Sequence, residues 1–351
     1  MNLATKITVR AAALALAALC VAALCVGVSA ADAQFKASSV SIYIPSGIGG
    51  GYDAYARLVS RHLQRFLPGS PVMVPKNMTG AGGVVAANYM YNVAPKDGSA
   101  IALFMAGAPF EPLFGNTQAK FDPLKFNWIM SLNRLVNIAI FWHESPVHTP
   151  DDFFKQQVLI GSSGGGDSST EVYARLLNNL AGTKFKIVAG YTGNGEVMLA
   201  MERGEVWGIV GTELSSLRAT RPDWIRDGKV RIVAQIGLTN SPDIPQVPQG
   251  VDLVKDEDGR KVFEILLARQ ENGRPFALPP GTSPDIVATF RQAFAAMAKD
   301  AAFLADAANL KADIVTATGD EITALLMKTY ASPRPLVERA SAEFKKAASG
   351  H

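Results

Sequence analysis

A serine in a glycine-rich turn is the strongest candidate for catalysis in this chain. Residues 161–165 read Gly-Ser-Ser-Gly-Gly and follow the apolar residues 158–160, so they match the G-x-S-x-G pattern of a hydrolase nucleophile after a strand. In that chemistry an acid and a histidine follow the serine, and the histidine takes its proton. The only histidine after Ser163 is His351, the last residue. A serine hydrolase therefore stays an alternative to a turn that offers N–H and O–H groups to a ligand.

Anion binding is the second chemistry that the residue types indicate. Residues 42–57 read Ile-Tyr-Ile-Pro-Ser-Gly-Ile-Gly-Gly-Gly-Tyr-Asp-Ala-Tyr-Ala-Arg, which predicts a short strand, a glycine turn and a helix. Glycine lets a ligand approach the backbone closely, and the N-terminus of a helix favours an anion. Asp53 falls where the N-cap of this helix is expected. As a ligand contact it would accept a hydrogen bond from an amino or hydroxyl group.

The same order of strand, glycine turn and helix recurs along the chain. The later turns are residues 80–83, 161–166 and 193–195. After the third turn, residues 168–171 read Ser-Ser-Thr-Glu, which predicts a capping box at the start of a helix. Four such units in one chain predict that several loops converge on one cleft.

Cofactor, metal and nucleic-acid binding find no support in the sequence. The dinucleotide fingerprint fails because its third glycine would fall at Tyr52 or at Val85. No Walker lysine follows any of the turns, and the four histidines lack metal-ligand spacing. Charged residues make up 19% of the chain and the net charge is +3, too balanced to indicate a nucleic-acid partner. We therefore expect no cofactor, no metal and no nucleic acid.

Residues 1–33 are predicted to be a signal peptide. Lys6 and Arg10 precede an alanine-rich apolar run over residues 11–28, and residues 31–33 read Ala-Asp-Ala, an A-x-A cleavage site. The alternative is an uncleaved membrane anchor. Both cysteines of the chain lie inside this segment, so the mature protein would contain no disulfide. These features predict an exported protein.

The remaining pattern predicts an α/β fold in two lobes, with helices flanking mainly parallel sheets. Residues 136–142 are expected to cross into a second lobe, and the apolar residues 263–268 to cross back. This places residues 34–135 and 240–351 in the first lobe and residues 136–239 in the second. Such wiring is typical of hinged two-domain receptors. The other predicted strands are residues 72–74, 101–105, 158–160, 185–188, 206–210 and 230–236.

Several of these segments together resemble one protein family. The chain is similar to the substrate-binding receptors of tripartite tricarboxylate transporters, the periplasmic Bug-like receptors. The order and spacing of the matching motifs hold over nearly the whole mature chain, which makes the set much more specific than any single motif. The matching segments are residues 45–57, 77–83, 95–98, 161–168 and 276–284.

The resemblance implies a periplasmic receptor of the type II, Venus-flytrap fold. Such a receptor closes over a small carboxylate, performs no catalysis and delivers its ligand to the permease subunits of a tripartite transporter. The family holds its ligand with backbone and hydroxyl groups of the turns. Carried over, these are Ser46, Gly47, Gly50, Asp53, Thr79, Gly80 and Ala81 in the first lobe and Ser162, Ser163, Ser168, Tyr191 and Thr192 in the second.

This chain departs from the family pattern within the turns themselves. The first turn is longer, Met78-Thr79 replaces Arg-Pro, and residues 190–195 replace Pro-Tyr-Lys-Gly without its lysine. The ligand therefore cannot be carried over from other members beyond the class of small organic acids. A receptor that signals to a membrane kinase instead of a permease is a further alternative.

Overall fold

The computed structural model describes residues 35–163 and 168–349, which fold into eleven strands and twelve α-helices. The predicted signal peptide, residues 164–167 and His351 lie outside the described residues. The strands are β1 (Ser39–Ile44), β2 (Val72–Asn77), β3 (Ala100–Leu103), β4 (Asn127–Ser131), β5 (Asn137–Trp142), β6 (Val158–Ser163), β7 (Phe185–Tyr191), β8 (Gly208–Glu213), β9 (Val230–Ile236), β10 (Pro275–Leu278) and β11 (Ala317–Thr318).

Helices separate most of the strands, as the alternating sequence pattern predicts. Among the described helices, none combines the length and the hydropathy needed to cross a membrane. The helices are α1 (Gly51–Leu63), α2 (Val84–Asn92), α3 (Asp152–Lys155), α4 (Ser169–Ala181), α5 (Asn194–Glu202), α6 (Leu214–Thr220), α7 (Pro222–Arg226), α8 (Glu257–Asn272), α9 (Pro284–Met297), α10 (Ala301–Asn309), α11 (Gly319–Tyr330) and α12 (Arg334–Ala348).

The strands form two sheets, with the orders β11-β4-β10-β3-β1-β2 and β7-β6-β8-β5-β9. Strand β1 is parallel to β2 and β3, and β6 is parallel to β7 and β8. Strands β5 and β10 instead run antiparallel to both of their neighbours. The predicted α/β fold with two sheets is confirmed, but each sheet is mixed where parallel strands were expected. Strands β5 and β10 are the first strands after the two segments that connect the sheets. Each therefore runs opposite to the parallel strands of the strand–helix–strand units in its sheet.

Apolar cores lie on both faces of each sheet. In the first sheet, one core contains Phe290 of α9 with residues of α1 and α10, and the other contains Met90 of α2 with residues of α11. In the second sheet, one core contains Phe263 of α8 with residues of α4 and α12, and the other contains Met201 of α5 with residues of α6 and α7. Each sheet is therefore a layer between helices.

Two segments, residues 132–136 and 237–274, connect the sheets and touch each other. The amide of Leu132 donates to the carbonyl of Arg274 at 3.4 Å, and that of Leu135 donates to the carbonyl of Gln270 at 3.1 Å. Helix α8 belongs to the second of these segments and contributes to cores of both sheets. Helix α12 also packs on α4 of the second sheet. The C-terminal third of the chain thus contacts both sheets.

Two local predictions are wrong, each for a reason visible in the hydrogen bonds. The N-cap of α1 is Gly50, so Asp53 lies in the first turn of the helix. Ser168 is the N-cap of α4 but its hydroxyl makes no capping bond, and Glu171 pairs with Arg175 instead. Residues 263–268, predicted to cross back to the first lobe, are helical and lie in α8, within the segment that connects β9 to β10; α8 starts where the Asp256 carboxylate accepts from the amide of Gly259.

Candidate functional site

A cavity of about 330 Å³ lies where helices and loops of the two sheets meet. The first turns of α1 and α4 contribute to it, as do the glycine turn before α2, the loop after β3, the end of α8 and one aromatic residue of α12. Its volume is in the range of small-molecule sites. The lining residues are Tyr52, Gly82, Met105, Ala106, Gly107, Glu111, Leu135, Ser169, Val172, Tyr173, Leu176, Leu266, Arg269, Gln270 and Phe344.

Arg269, on the last turn of α8, is the cation of the described lining. Its guanidinium carbon lies 4.7 Å from the ring centroid of Phe344. Gly107 lies against the same guanidinium, and a Cβ at this position would collide with it. Within the described ranges no carboxylate pairs with Arg269. The aromatic ring and the glycine therefore hold a guanidinium whose hydrogen-bond donors are free for an anion.

Tyr52, the second residue of α1, brings a hydroxyl group to the wall. Its oxygen accepts a hydrogen bond from the amide of Ala106 at 3.0 Å. Its hydrogen has no acceptor in the parts of the chain that the structure describes. Burial raises the pKa of Tyr52, so the hydroxyl stays protonated at neutral pH. It can therefore donate to a ligand.

Arg274 lies behind Tyr52 and holds it in place. Its guanidinium carbon is 5.2 Å from the ring centroid of Tyr52 and 4.4 Å from that of Tyr55. The hydroxyl of Tyr55 in turn donates to the carbonyl of Asp313 at 2.8 Å, and burial raises the pKa of Tyr55 to about 12. Stacking of this kind restricts the ring of Tyr52 and with it the direction of its hydroxyl.

Tyr173 and Gln270 form a buried hydrogen-bonded unit on the opposite wall. With the amide nitrogen of Gln270 facing the carbonyl oxygens of Leu135 and Ile236, at 3.1 and 2.6 Å, its oxygen accepts from the Tyr173 hydroxyl at 2.8 Å. Burial raises the pKa of Tyr173, and the positive charge of Arg269 opposes this rise at both Tyr173 and Tyr52. The guanidinium thus acts on the hydroxyls of both walls.

The rest of the wall is mostly apolar, with one acidic residue. Glu111 accepts a hydrogen bond from the side chain of Asn116 at 2.9 Å and forms no ion pair with any described residue. Ser169 uses its hydroxyl to donate to the carbonyl of Gly211. The wall therefore combines one guanidinium and several hydroxyl groups with apolar surface. The apolar side chains are those of Met105, Leu135, Val172, Leu176, Leu266 and Phe344.

The predicted residues of the first glycine turn form a separate network around Asp53. The Asp53 carboxylate is buried and accepts from the amide of Gly49, from Arg57 Nε and from Asn77 Nδ2, each at 2.9 Å. Asn77 also donates to the carbonyl of Ser46 at 2.8 Å. The hydrogen bond from Arg57 is the main reason that the pKa of Asp53 falls to about 2. This network fixes the shape of the turn that holds Gly47 and Gly50, both of which are exposed.

The second glycine turn brings the chain to the cavity through a left-handed backbone. Thr79, Gly80 and Ala81 are exposed, and Ala81 has φ +46°, a conformation that favours glycine. Gly82, the next residue, lines the cavity. The short 3-10 turn at residues 81–83, which precedes α2, therefore contains backbone strain next to the candidate site, as functional loops often do.

The predicted serines of the second sheet form a cluster of hydroxyl groups. Ser162 Oγ lies 3.4 Å from Ser168 Oγ and 3.3 Å from Thr170 Oγ1, and the last two are 3.2 Å apart. Ser162 is fully buried. Ser163 ends β6, and the hydrolase pattern continues into residues 164 and 165, outside the described residues, as does His351.

Tyr191 and Thr192 lie at the end of β7, before α5. The amide and the hydroxyl of Thr192 both donate to Glu196 Oε2, at 2.6 and 3.0 Å. Tyr191 is partly buried and packs with the core of the second sheet. These hydrogen bonds fix Thr192 just before α5, and Tyr191 is the last residue of the preceding strand.

The structure thus brings the predicted residues into four local groups, none of which is in the described lining of the cavity, although three lining residues adjoin them. Tyr52, Gly82 and Ser169 directly adjoin Asp53, Ala81 and Ser168 in sequence. The sequence did not predict Arg269 and Gln270 as site residues, because the preceding residues of α8 were interpreted as an apolar crossing. It did not predict Tyr173, because no binding residue was expected within α4 beyond its first turn. One signal was available: Arg269 and Gln270 are polar residues that directly follow the mostly apolar residues 263–268.

Metal binding finds no site among the described residues, since they contain no group of three or more His, Asp or Glu side chains placed to hold an ion. His62 Nε2 donates to the carboxylate of Asp306 in α10 at 2.9 Å, and His62 Nδ1 accepts from the guanidinium of Arg65 at 2.8 Å. That histidine therefore has a structural environment.

Comparison with known proteins gives one family and one fold. The family model described as "Tripartite tricarboxylate transporter family receptor" matches residues 55–341. A curated relative from Cupriavidus necator, named "UPF0065 protein in gbd 5'region", is 27% identical over 293 residues, which are 76% of this chain and 78% of the relative.

Two solved structures show the same fold at low sequence identity. A TctC solute-binding protein from Polaromonas, without ligand, is 20% identical with a TM-score of 0.66, over 86% of this chain and 98% of that one. MatC from Rhodopseudomonas palustris, solved with malate, is 18% identical with a TM-score of 0.53, over the same shares of the two chains.

Proposed function

Because the chain belongs to the tripartite tricarboxylate transporter receptor family, we propose that it captures a small organic acid in the cavity between its sheets and passes it to a membrane transporter. The observation that carries this proposal is Arg269, a guanidinium in the cavity wall that no described carboxylate neutralises. A partly buried cation without a partner is costly unless an anion joins it. The acid group of the ligand is that anion.

The wiring of the fold supports capture by closure. Segments 132–136 and 237–274 connect the sheets, and both contribute to the cavity, through Leu135 and through Arg269 and Gln270. A rotation about these segments would move the glycine turns of the two lobes toward the ligand. We propose that the lobes have the boundaries 34–135 with 240–351, and 136–239. On closure the hydroxyl cluster of Ser162 and the exposed turn at Thr79 would complete the site.

The proposal includes the periplasm as location, cleavage after residue 33 and the permease subunits of a tripartite transporter as partners. It includes no catalytic step. Malate, the ligand in MatC, belongs to the proposed ligand class.

Native mass spectrometry of the protein purified from periplasm tests the proposal. We expect a mass above that of the mature chain, and release of one small acid after gentle denaturation. The purified, emptied protein is then tested by thermal shift against organic acids, where a ligand at a hundredfold excess over Kd adds about 2.7 kcal/mol to the free energy of unfolding. A protein that carries no acid and that no acid stabilises would contradict the receptor function.

A further inference from the structure

We propose that the ligand is a monocarboxylate with an uncharged, apolar body, and that Arg269 and the Tyr52 hydroxyl hold its carboxylate. This inference rests on the proposed function and names the class of acid. It starts from the two donors that lie in the wall without a described acceptor, the guanidinium on α8 and the hydroxyl on α1. One carboxylate accepts a hydrogen bond from the guanidinium and another from the hydroxyl, and both bonds are charge-assisted because the acceptor is ionised.

The charges of the wall limit the ligand to one carboxylate. The described lining contains one cation, Arg269, and one anion, Glu111, and neither forms an ion pair with another described side chain. A second carboxylate would find no cation in this lining and would meet the Glu111 carboxylate. An unpaired charge out of water is strongly unfavourable. A dicarboxylate or tricarboxylate therefore binds more weakly than a monocarboxylate of the same length.

The size and chemistry of the remaining wall fit an apolar body of modest length. A cavity of about 330 Å³ has the volume of about eleven water molecules in the liquid, at roughly 30 Å³ each. That suits an acid of about ten non-hydrogen atoms. Beyond the two donors, the apolar body of the ligand contacts Met105, Leu266 and Phe344. Binding is favoured there because an alkyl chain or a ring is removed from water.

The contacts of Arg269 keep this end of the cavity specific for a planar anion. Phe344 stacks on the guanidinium and Gly107 leaves room for it, so the free edge of the planar group can bind a carboxylate through two parallel hydrogen bonds. Lysine cannot reproduce this arrangement, because an ammonium group neither stacks in the same way nor presents a fork.

Two matched sets of ligands test the inference by titration calorimetry on emptied protein. The first set is hexanoate, hexanamide and adipate, and the second is benzoate, benzamide and terephthalate. We expect at least one monocarboxylate to bind at least tenfold more tightly than its amide and than its dicarboxylate. An amide or a dicarboxylate that binds as tightly as its monocarboxylate would overturn the inference.

Substitution of the cation gives the second arm. Arg269→Gln should raise the Kd of the best monocarboxylate about ten- to a hundredfold, and Arg269→Lys should recover only part of the loss. Lys261→Gln removes one charge from the exposed face of the same helix and should leave the Kd unchanged. Equal Kd values for wild type and Arg269→Gln, with both folded by circular dichroism, would overturn the role of Arg269.

The two proposals fail in different ways. If the protein purified from periplasm releases a dicarboxylate, the receptor function stands and the monocarboxylate inference is wrong. If none of the six probes binds, the inference is also wrong, whereas the receptor function fails only when native mass spectrometry and the wider acid panel are negative as well.

Discussion

At the scale of single residues, the acidic side chain of the first glycine turn shows how one group can organise a loop. Asp53 is 2% exposed and accepts three hydrogen bonds, from the backbone of the turn, from its own helix and from the end of β2. A buried carboxylate with this many donors is a strong local constraint. The turn is therefore shaped by its neighbours before any ligand arrives.

The pKa of Asp53 gives a prediction about acid stability. Hydrogen bonding, first of all from Arg57, lowers this pKa to about 2 in the folded protein, against about 3.9 in an unfolded chain. The stabilisation is fully present above about pH 5 and is lost as the pH falls toward 2. Asp53→Asn should lower the free energy of unfolding by about 2 kcal/mol at pH 7, and by less at pH 3. Urea unfolding at the two pH values measures the difference.

An exposed aspartate supplies the control for that experiment. Asp227 pairs with Arg226 at the surface, where ion pairs contribute little. We expect Asp227→Asn to change the free energy of unfolding by less than about 1 kcal/mol at either pH. A loss in Asp53→Asn that is equally large at pH 3 and pH 7 would show that packing, and not the charge, is responsible.

At the scale of elements, the two segments that connect the sheets approach each other closely at Gly273. Gly273 follows α8 with φ +55°, and a Cβ there would overlap the carbonyl oxygen of Asn133, in the segment between β4 and β5. Ser131 Oγ donates to that same carbonyl and accepts from the amide of Arg274. The two connections thus behave as one hydrogen-bonded joint.

Substitution at this joint should be much more costly than at an open glycine. Gly273→Ala combines the strain of a positive φ with a collision against backbone, so we expect the free energy of unfolding to fall by about 3 kcal/mol or more. Gly228→Ala has φ +65° but no atom within 4 Å of the added Cβ, so the strain alone should cost about 1 kcal/mol. Similar losses in the two variants, measured by urea unfolding, would contradict a tight joint.

The elements also show how far the sequence predicts the structure. The strand from Val230 to Ile236 follows from a local pattern and is confirmed. The end of α8 could not be predicted from a local pattern, because a mostly apolar run of six residues fits a strand and a buried helix equally well. Arg269 could not be placed in a site for the same reason: its partners Phe344 and Gly107 are distant in sequence, and only the packing of α12 on α8 brings them together.

At the scale of the whole molecule, a buried side chain of α8, the helix that contributes to cores of both sheets, joins a connecting segment to the second sheet. Gln270 is 2% exposed and joins the first connection through Leu135, the end of β9 through Ile236 and helix α4 through Tyr173. Helix α12 adds a second link, because it packs on both α4 and α8. Links of this kind couple the stability of one layer to that of the other.

Replacement of Gln270 should therefore weaken both sheets together. Gln270→Met keeps the volume but leaves the carbonyls of Leu135 and Ile236 and the hydroxyl of Tyr173 without their partner, at about 1–3 kcal/mol for each buried group left unsatisfied. We expect a loss of at least about 2 kcal/mol in the free energy of unfolding. Hydrogen exchange should then be faster by a similar factor in the core strands β3 and β8, one in each sheet, because both open in the same global unfolding.

A second buried glutamine separates coupling from simple loss of stability. The side chain of Gln249 donates to Asn240 beside β9 and, unlike that of Gln270, makes no hydrogen bond to the connecting segment 132–136 among the described residues. In Gln249→Met we expect faster exchange near β9 with little change in β3. If Gln270→Met likewise affected β8 and left β3 protected, the sheets would unfold independently and the hinge would not couple them. If both strands lose protection, the two lobes unfold together. A ligand bound to Arg269 then stabilises both lobes at once, which is what closure over the acid requires.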